Sequence, residues 1–468
     1  MTTVAAQSLD AAELLDHVRY LASDELLGRE TGEPGADSAA AYLETQFAAL
    51  GLDPLFETGY RQPFEVATTV AVGSDSRLSV NTPIKEHRLL LGRDWYPFSF
   101  SSSGPVSGRM LEAGYGLEDG DFAGARPQIK RIAMIDGGTP EGMHGHGGVD
   151  ASLRRRATLA REAGLKAVAI KVTKLSLPEV GSRPSPIGIP AIQIVDNEHT
   201  AAALSHEYAR FHGMVEVNPV IATGYNVGGI IRGTSHRDRI IVVGAHYDHL
   251  GLGGPGSLAP DAVEPHNGAD DNASGTAVLL GLAEHFARPE NRPSATIVFV
   301  GFSGEEMGLL GSDHFASEPP FDLSNVIAMI NFDMVGRLDE GKLQRLGTET
   351  ATEFTDILDE AAAGRDLTVS RVGDGYGPSD QTSFYSRGVP VLHFFSGTHS
   401  QYHRPEDDWE LINAEGMAEI GEMAIAIINI LATRSEALTF VEQQRPQQGG
   451  GGYGPYLGTI PDFGEVEG

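Results

Sequence analysis

The chain has 468 residues, with 64 acidic against 34 basic side chains and a formal net charge of -30 at neutral pH. A field of that sign repels nucleic acid and anionic membranes, so neither is an expected partner. Cysteine is absent, which excludes disulfides, thiolate metal sites and a cysteine nucleophile and leaves His, Asp and Glu to hold any metal.

The length suits two or three domains with an ample apolar core. Met1 to Asp10 lack the charged-then-apolar pattern of a signal peptide. Two expectations for location follow: inside the cell, or exported after loss of a signal. Residues from about Ser8 to Leu52 read as helical. Asp10 opens the first helix, and Leu14, Leu15, Val18 and Leu21 follow at helical spacing. Gly28, Gly32, Pro34 and Gly35 break the pattern, and a second helix is expected from about Ala36 to Gly51. Pro63 to Leu91 shows weak, strand-like alternation.

An alternating α/β unit is expected over 93–216. It holds strands at Lys130–Ile135, Lys166–Val172 and Ile189–Val195, a basic helix near Leu153–Ala163 and a helix near Asn197–Tyr208. His144 and His146 lie in a glycine-rich stretch read as a solvated loop. From Tyr225 to about Thr433 strand and helix patterns alternate throughout, the mark of a mostly parallel sheet covered on both faces. The last helix, about Ala414 to Thr433, is apolar and is expected to pack on the sheet. No apolar run approaches the ~18 residues of a membrane helix, so no membrane span is expected. Gln443 to Gly452 reads as a Gln/Pro/Gly-rich linker before a short tail. The expected organisation is therefore 1–92, an insertion at 93–216, a main domain at 217–440, and a tail at 441–468.

The functional signal is a recurrence. Ile240 to Val243 end in His246-Tyr247-Asp248, and Ala295 to Val300 run into Ser303-Gly304-Glu305-Glu306. Val326 to Ile330 end in Asn331-Phe332-Asp333, and Val389 to Phe395 precede His403. Asp270-Asp271-Asn272 opens a helix. Each segment delivers metal-compatible side chains just past an apolar run, where open α/β sheets place their binding crevices. Two-metal sites hold their ions ~3.5–4 Å apart through a bridging ligand, which here can only be a carboxylate. His246, Asp271, Glu306, Asp333 and His403 could supply a bridge plus one His and one further acid per metal. Glu305 is then left beside a ligand with its own carboxylate free to accept a proton. Spacing alone leaves Asp270 and Asp271 both open as the bridge. Taken singly, each signal also fits a helix cap, a solvated Glu pair or a hydrogen-bonded loop His. His249, His266, His314 and His399 lack the same placement and read as structural or surface residues.

Gly244 to Leu250, Asn267 to Gly275, Gly301 to Ser312, Asn331 to Met334 and Tyr402-His403 together resemble the co-catalytic dizinc aminopeptidases. Their superfamily includes glutamate carboxypeptidase II, glutaminyl cyclase and the transferrin receptor. Ser23 to Tyr42 is similar to that family's N-terminal segment, and the inserted unit resembles a protease-associated domain. The resemblance implies an α/β fold with a mostly parallel mixed sheet flanked by helices, carrying a smaller inserted α/β domain. It implies two Zn²⁺ bridged by Asp271, with Glu306 and His403 at one ion and His246 and Asp333 at the other. Glu305 would be the general base acting on a bridging hydroxide. Asp248 would accept from the His246 ring, and Tyr402 would hydrogen-bond the tetrahedral oxyanion. The family carries a cis peptide at the position of Asp271–Asn272. Asp380 is a candidate to hold a substrate amino terminus, with a supporting role as the alternative. Peptides are the expected substrates. A carboxypeptidase or dipeptidase on the same scaffold would need pocket arginines, with Arg337, Arg371 and Arg387 near the motifs. A non-catalytic binding ectodomain would be expected to lose ligands. The tail at Tyr456–Asp462 is similar to the entry of a PDZ-like domain.

Overall fold

A computed structural model of the chain describes residues 9–125, 131–138, 152–177, 185–254, 256–259, 262–365, 367–373 and 375–443. The His144/His146 loop and the tail beyond residue 443 lie outside the described residues. Two compact units emerge, 1–66 with 222–468, and 67–221.

In the first unit, helix α1 (Ala11–Leu21) is capped by Asp10, whose carboxylate accepts the Ala12 N–H at 2.8 Å. Helix α2 spans Pro34–Ala49. Pro34 was expected to break the helix, yet it sits in its first turn, where a missing N–H costs nothing. Seven strands of its nine-stranded sheet carry the argument: β1 (Val217–Ile231), β2 (His236–His246), β3 (Ala295–Phe302), β4 (Val326–Phe332), β5 (Lys342–Leu346), β6 (Thr368–Val372) and β7 (Val391–Phe395), in spatial order β1-β3-β2-β4-β7-β5-β6, with the short strands Asp53–Pro54 and Arg61–Val72 both paired to β1. The central strands β3, β2, β4 and β7 are mutually parallel, while β1 on β3 and β5 on β7 are antiparallel.

Alternation along these strands divides the core between two faces. Ile241, Val243, Ile297, Phe299, Ile330 and Phe394 pack with α1, α2, helix α3 (Gly275–Ala287) and helix α6 (Ala414–Thr433). Val242, Val298, Phe302 and Val391 pack with Phe315 of helix α4 (Leu310–Ser317) and Phe384 of helix α5 (Gln381–Tyr385). Each such fully buried side chain contributes about 1.5–3 kcal/mol. These contacts anchor the strand ends, where the sequence places desolvated acids. Helix α6, with a mean hydropathy of 1.4, is long and apolar enough to cross a membrane by length and composition alone. Its apolar face is spent in this core: Met417, Ile420, Met423, Ile427 and Leu431 are fully buried.

The register of the parallel strands aligns their carboxyl ends. His246 is opposite Phe302, Gly244 opposite Asn331, and Asn331 opposite His393. The residues that follow each strand therefore emerge along one sheet edge.

The second unit has its own sheet and apolar clusters on both its faces. It begins 26 residues before the expected boundary at 93, since it starts at 67. Strands Arg77–Asn81 and Glu86–Leu89 pair into this sheet through Arg210–Val215. Their alternation was legible, but short strands carry no signal of which sheet they join.

Candidate active site

The five segments meet at the carboxyl edge of the first unit's sheet. Asp271 lies at the centre. Its Oδ1 is 3.5 Å from His246 Nε2, which is also 3.4 Å from Asp333 Oδ1. Its Oδ2 is 3.2 Å from His403 Nε2, which is also 3.3 Å from Glu306 Oε2. The two oxygens of one carboxylate thus face two His–carboxylate pairs. Glu305 Oε2 stands 4.0 Å from His246 Nε2.

Local structure explains why Asp271 can occupy that place. Gly268 has φ of +54°, and a Cβ there would lie 2.1 Å from the Asp271 carbonyl oxygen and 2.5 Å from the His249 ring. Asn272 donates to Phe332 O at 2.9 Å and accepts from Gly275 N and Met334 N, at 2.9 and 3.2 Å. It therefore accepts the first N–H of α3 and also ties that helix to the strand end carrying Asp333. The Asp271–Asn272 peptide is cis, as the resemblance implies. Asp407 accepts the Asp270 and Asp271 N–H groups on one oxygen and Arg337 on the other. His403 itself adopts φ of +54°, a conformation non-glycine residues seldom adopt.

The imidazole tautomers follow from their other partners. His246 Nδ1 faces the Asp248 carbonyl oxygen at 3.2 Å, and His403 Nδ1 faces Gly256 O at 2.9 Å. A carbonyl only accepts, so both Nδ1 atoms carry hydrogen and both Nε2 atoms point at carboxylate oxygens. A cation, whether a proton or a metal, has to lie between those atoms. His, Asp and Glu in this arrangement are the donor set zinc takes, so the residues present fit two ions sharing Asp271.

Electrostatics separate the neighbouring glutamates. Burial pushes the Glu305 carboxyl well above the usual range, with Glu306, Asp333 and Asp380 adding to it against His246. Burial acts on Glu306 too, but His403 and His249 outweigh it and hold that carboxyl well below the usual range. Glu305 and Asp333 are also the more exposed of these acids, at 10% and 15%, against 5% for Asp271 and 6% for Glu306.

Several sequence expectations change here. His249 is a fully buried member of the cluster, its Nδ1 2.7 Å from Glu306 Oε1 and 3.9 Å from Asp271 Oδ2. His249, Asp271 and Glu306 form one close group, and His246, Glu305 and Asp333 another. The His246-x-x-His249 spacing was its available signal. His399 Nε2 lies 3.2 Å from Asp270 Oδ2 behind the centre. Asp248 does not accept from the His246 ring through its carboxylate, which is 3.7 Å away; its backbone carbonyl takes that role. The Asp248 carboxylate instead accepts from Thr31 Oγ1 at 3.0 Å and from Glu305 N at 3.3 Å. Tyr402 stacks on His403, ring centroids 3.8 Å apart. Asp380 is fully buried, and burial pushes its carboxyl up to about 7, opposed by His246 and Ser312. Asp407 carried no motif that the sequence reading used.

Residues 226–428 match the profile of peptidase family M28. The chain is 29% identical over 362 residues to the aminopeptidase YwaD of Bacillus subtilis (strain 168), a match covering 72% of this chain and 70% of that protein. It is 42% identical over 163 residues to a probable zinc metalloprotease of Pyrenophora teres f. teres (strain 0-1), covering 34% of this chain and 31% of that one. Among solved structures, the aminopeptidase from Aneurinibacillus sp. strain AM-1 superposes with a TM-score of 0.58 at 23% identity, over 93% of this chain and 97% of that one. This superposition shows a shared mixed α/β fold.

Proposed function

We propose that the chain is a dizinc aminopeptidase, releasing N-terminal residues from peptides. The observation that carries the reading is the division of the Asp271 carboxylate between the His246–Asp333 and His403–Glu306 pairs. The match of residues 226–428 to peptidase family M28 and the names of two relatives, aminopeptidase and probable zinc metalloprotease, support it. His246, Asp333, Asp271, Glu306 and His403 would hold the ions, with His249 holding Glu306 in place. Zinc bound there would polarise the scissile carbonyl and lower the pKa of water.

Glu305 takes a proton from the attacking water as its oxygen bonds to the carbonyl carbon. It returns that proton to the nitrogen as the C–N bond breaks. Asp248 aims it, by accepting the Glu305 N–H. Tyr402, seated on His403, is the proposed donor to the oxyanion. Asp380 supports the site from behind; its complete burial argues against direct contact with a substrate amine. The unit at 67–221 is read as a protease-associated domain and supplies none of these groups.

Two of the three arginines that a carboxypeptidase could use are committed elsewhere. Arg337 donates to Asp407 and to Leu411 O, and Arg387 to Asp313 and Ser317. A panel of free and N-blocked aminoacyl chromogenic substrates tests the reading. Turnover of the free series alone is expected; preference for N-blocked peptides with a free carboxylate would favour the carboxypeptidase.

A further inference from the structure

The ligand-bearing loops share a partner that lies more than two hundred residues upstream. Arg29 is fully buried. Among the described residues its guanidinium donates only to backbone carbonyls: Nε to Tyr247 O at 2.7 Å, Nη1 to Leu21 O and to Asn267 O, the latter at 2.6 Å, and Nη2 to Gly268 O at 3.0 Å. One planar fork therefore joins the loop of His246 and His249 to the loop that presents Asp271. A lysine ammonium, a single point on a flexible stem, cannot span these acceptors.

The backbone of the same segment continues the contact. Gly28 O accepts Gly251 N at 3.0 Å, and Arg29 O accepts His249 N at 3.3 Å. Gly28 has φ of +70°, and a Cβ there would fall 2.2 Å from Gly251 O, so only glycine permits this approach. Burial lowers the Arg29 guanidinium to about 10, with Asp248, Asp271, Asp407 and Glu306 working against that fall. It remains a cation at neutral pH, beneath a cluster of carboxylates.

Two residues on, Thr31 reaches the third loop. Its buried hydroxyl donates to Asp248 Oδ2 at 3.0 Å, lies 2.8 Å from Ser303 Oγ and accepts Gly304 N at 2.8 Å. Asp248 in turn accepts Glu305 N on its other oxygen. The turn that presents Glu305 is thus pinned from both sides by one hydroxyl and the carboxylate that hydroxyl orients.

We propose that Arg29 and Thr31 are positioning residues of the catalytic centre: Arg29 locks the His246–His249 loop to the Asp271 loop, and Thr31 sets the turn that aims Glu305. The proposal rests on the dizinc aminopeptidase reading for its kinetic and zinc arms, and not for its hydrogen-exchange arm. Neither residue touches the substrate or a proposed ion.

The test uses the full chain, with zinc and after its removal. Thr31→Val keeps the shape and deletes the hydroxyl; Thr31→Ser keeps the hydroxyl. Thr31→Val is expected to lower kcat about tenfold, equal to one 1.36 kcal/mol step in the barrier, with KM and two zincs retained, and Thr31→Ser should restore kcat. Amide hydrogen exchange in the zinc-free chain should rise at 302–308 in Thr31→Val. In Arg29→Lys it should rise at 244–252 and at 266–272 together, and zinc should pass to a chelator faster. Should Arg29→Lys fail to fold, the Thr31 pair carries the test alone. Equal kcat losses in Thr31→Val and Thr31→Ser, or an exchange increase spread evenly over the chain, would overturn the proposal. A wild-type chain without zinc or turnover would instead refute the aminopeptidase reading, and the exchange pattern would still decide the positioning roles.

Discussion

Each of the two units has a sheet with a parallel run of strands and an apolar core of its own, yet they treat buried charge differently. In the unit at 67–221, Asp94 is buried with the Arg93 guanidinium 2.8 Å away, the Leu90 N–H donating to it, and His199 at 3.1 Å. Arg156 is buried with Nη1 donating to Asp136 O and Gly138 O. Asp94 thus has a countercharge, and Arg156 carbonyl acceptors, within the same fold. At the edge of the other sheet, Asp248, Asp270, Asp271, Asp380 and Asp407 are buried around Glu305, Glu306 and Asp333, with Arg29 and Arg337 as the nearby permanent cations. Uncompensated buried carboxylates are costly. The difference teaches that the first arrangement is finished by folding, whereas the second is left for the cations proposed above to complete. Such an excess marks a functional site more reliably than any one residue does.

The sharpest way to break this contrast is at the paired glutamates. Glu305→Gln removes the proton acceptor without removing a proposed ligand. Activity should fall by roughly 10²–10⁴-fold with metal content unchanged, while Glu306→Gln should lose one ion. Metal analysis alone separates the two variants. If Glu305→Gln sheds zinc and Glu306→Gln keeps it, their roles are exchanged.

Removing zinc should act on one unit only. A ligand at a thousandfold excess over its Kd stabilises the fold it binds by about 4.1 kcal/mol per site. Chelation should therefore raise hydrogen exchange in β2, β4 and α3 while protection in 67–221 stays as it was. Equal loosening of both units would remove the contrast.

The smallest effect belongs to Asp94. Burial works against its ionisation, but the hydrogen bonds from Arg93 and Leu90 prevail and hold its carboxyl at about 2, below the ordinary 3.8. Its contribution to stability is therefore fully present above the ordinary value and is lost as pH falls toward about 2. Acid titration of unfolding in Asp94→Asn should show a shallower slope in that window for the 67–221 unit. An unchanged slope would mean that the Arg93 contact, on an exposed side chain, contributes little.

Much of the site was legible because parallel strands in register deliver their next residues to one edge. An apolar run followed by His246, Glu305-Glu306 or Asp333 announced both the strand and its cargo. Asp271 was legible only as one of a pair, since the choice between Asp270 and Asp271 depends on backbone geometry around Asn272. The supporting groups were not legible in the same way. Asp407 acts on N–H groups 136 and 137 residues away, and Arg29 on a carbonyl 218 residues away. No local periodicity records such contacts. His249 was passed over because a second His beyond a strand end is ambiguous until the loop is closed by Gly28. The boundary at 67 was missed because the register of two short strands is a tertiary property.

The central claim is that Asp271 is shared between two ions, and counting zinc per chain tests it most directly. The wild-type protein, equilibrated with zinc and freed of excess, should retain two ions per chain. In Asp271→Asn, which keeps the shape but gives up the negative charge and one strong oxygen ligand, both should be weakened together. One ion in the wild type, or two held as tightly in Asp271→Asn as in the wild type, would contradict the account.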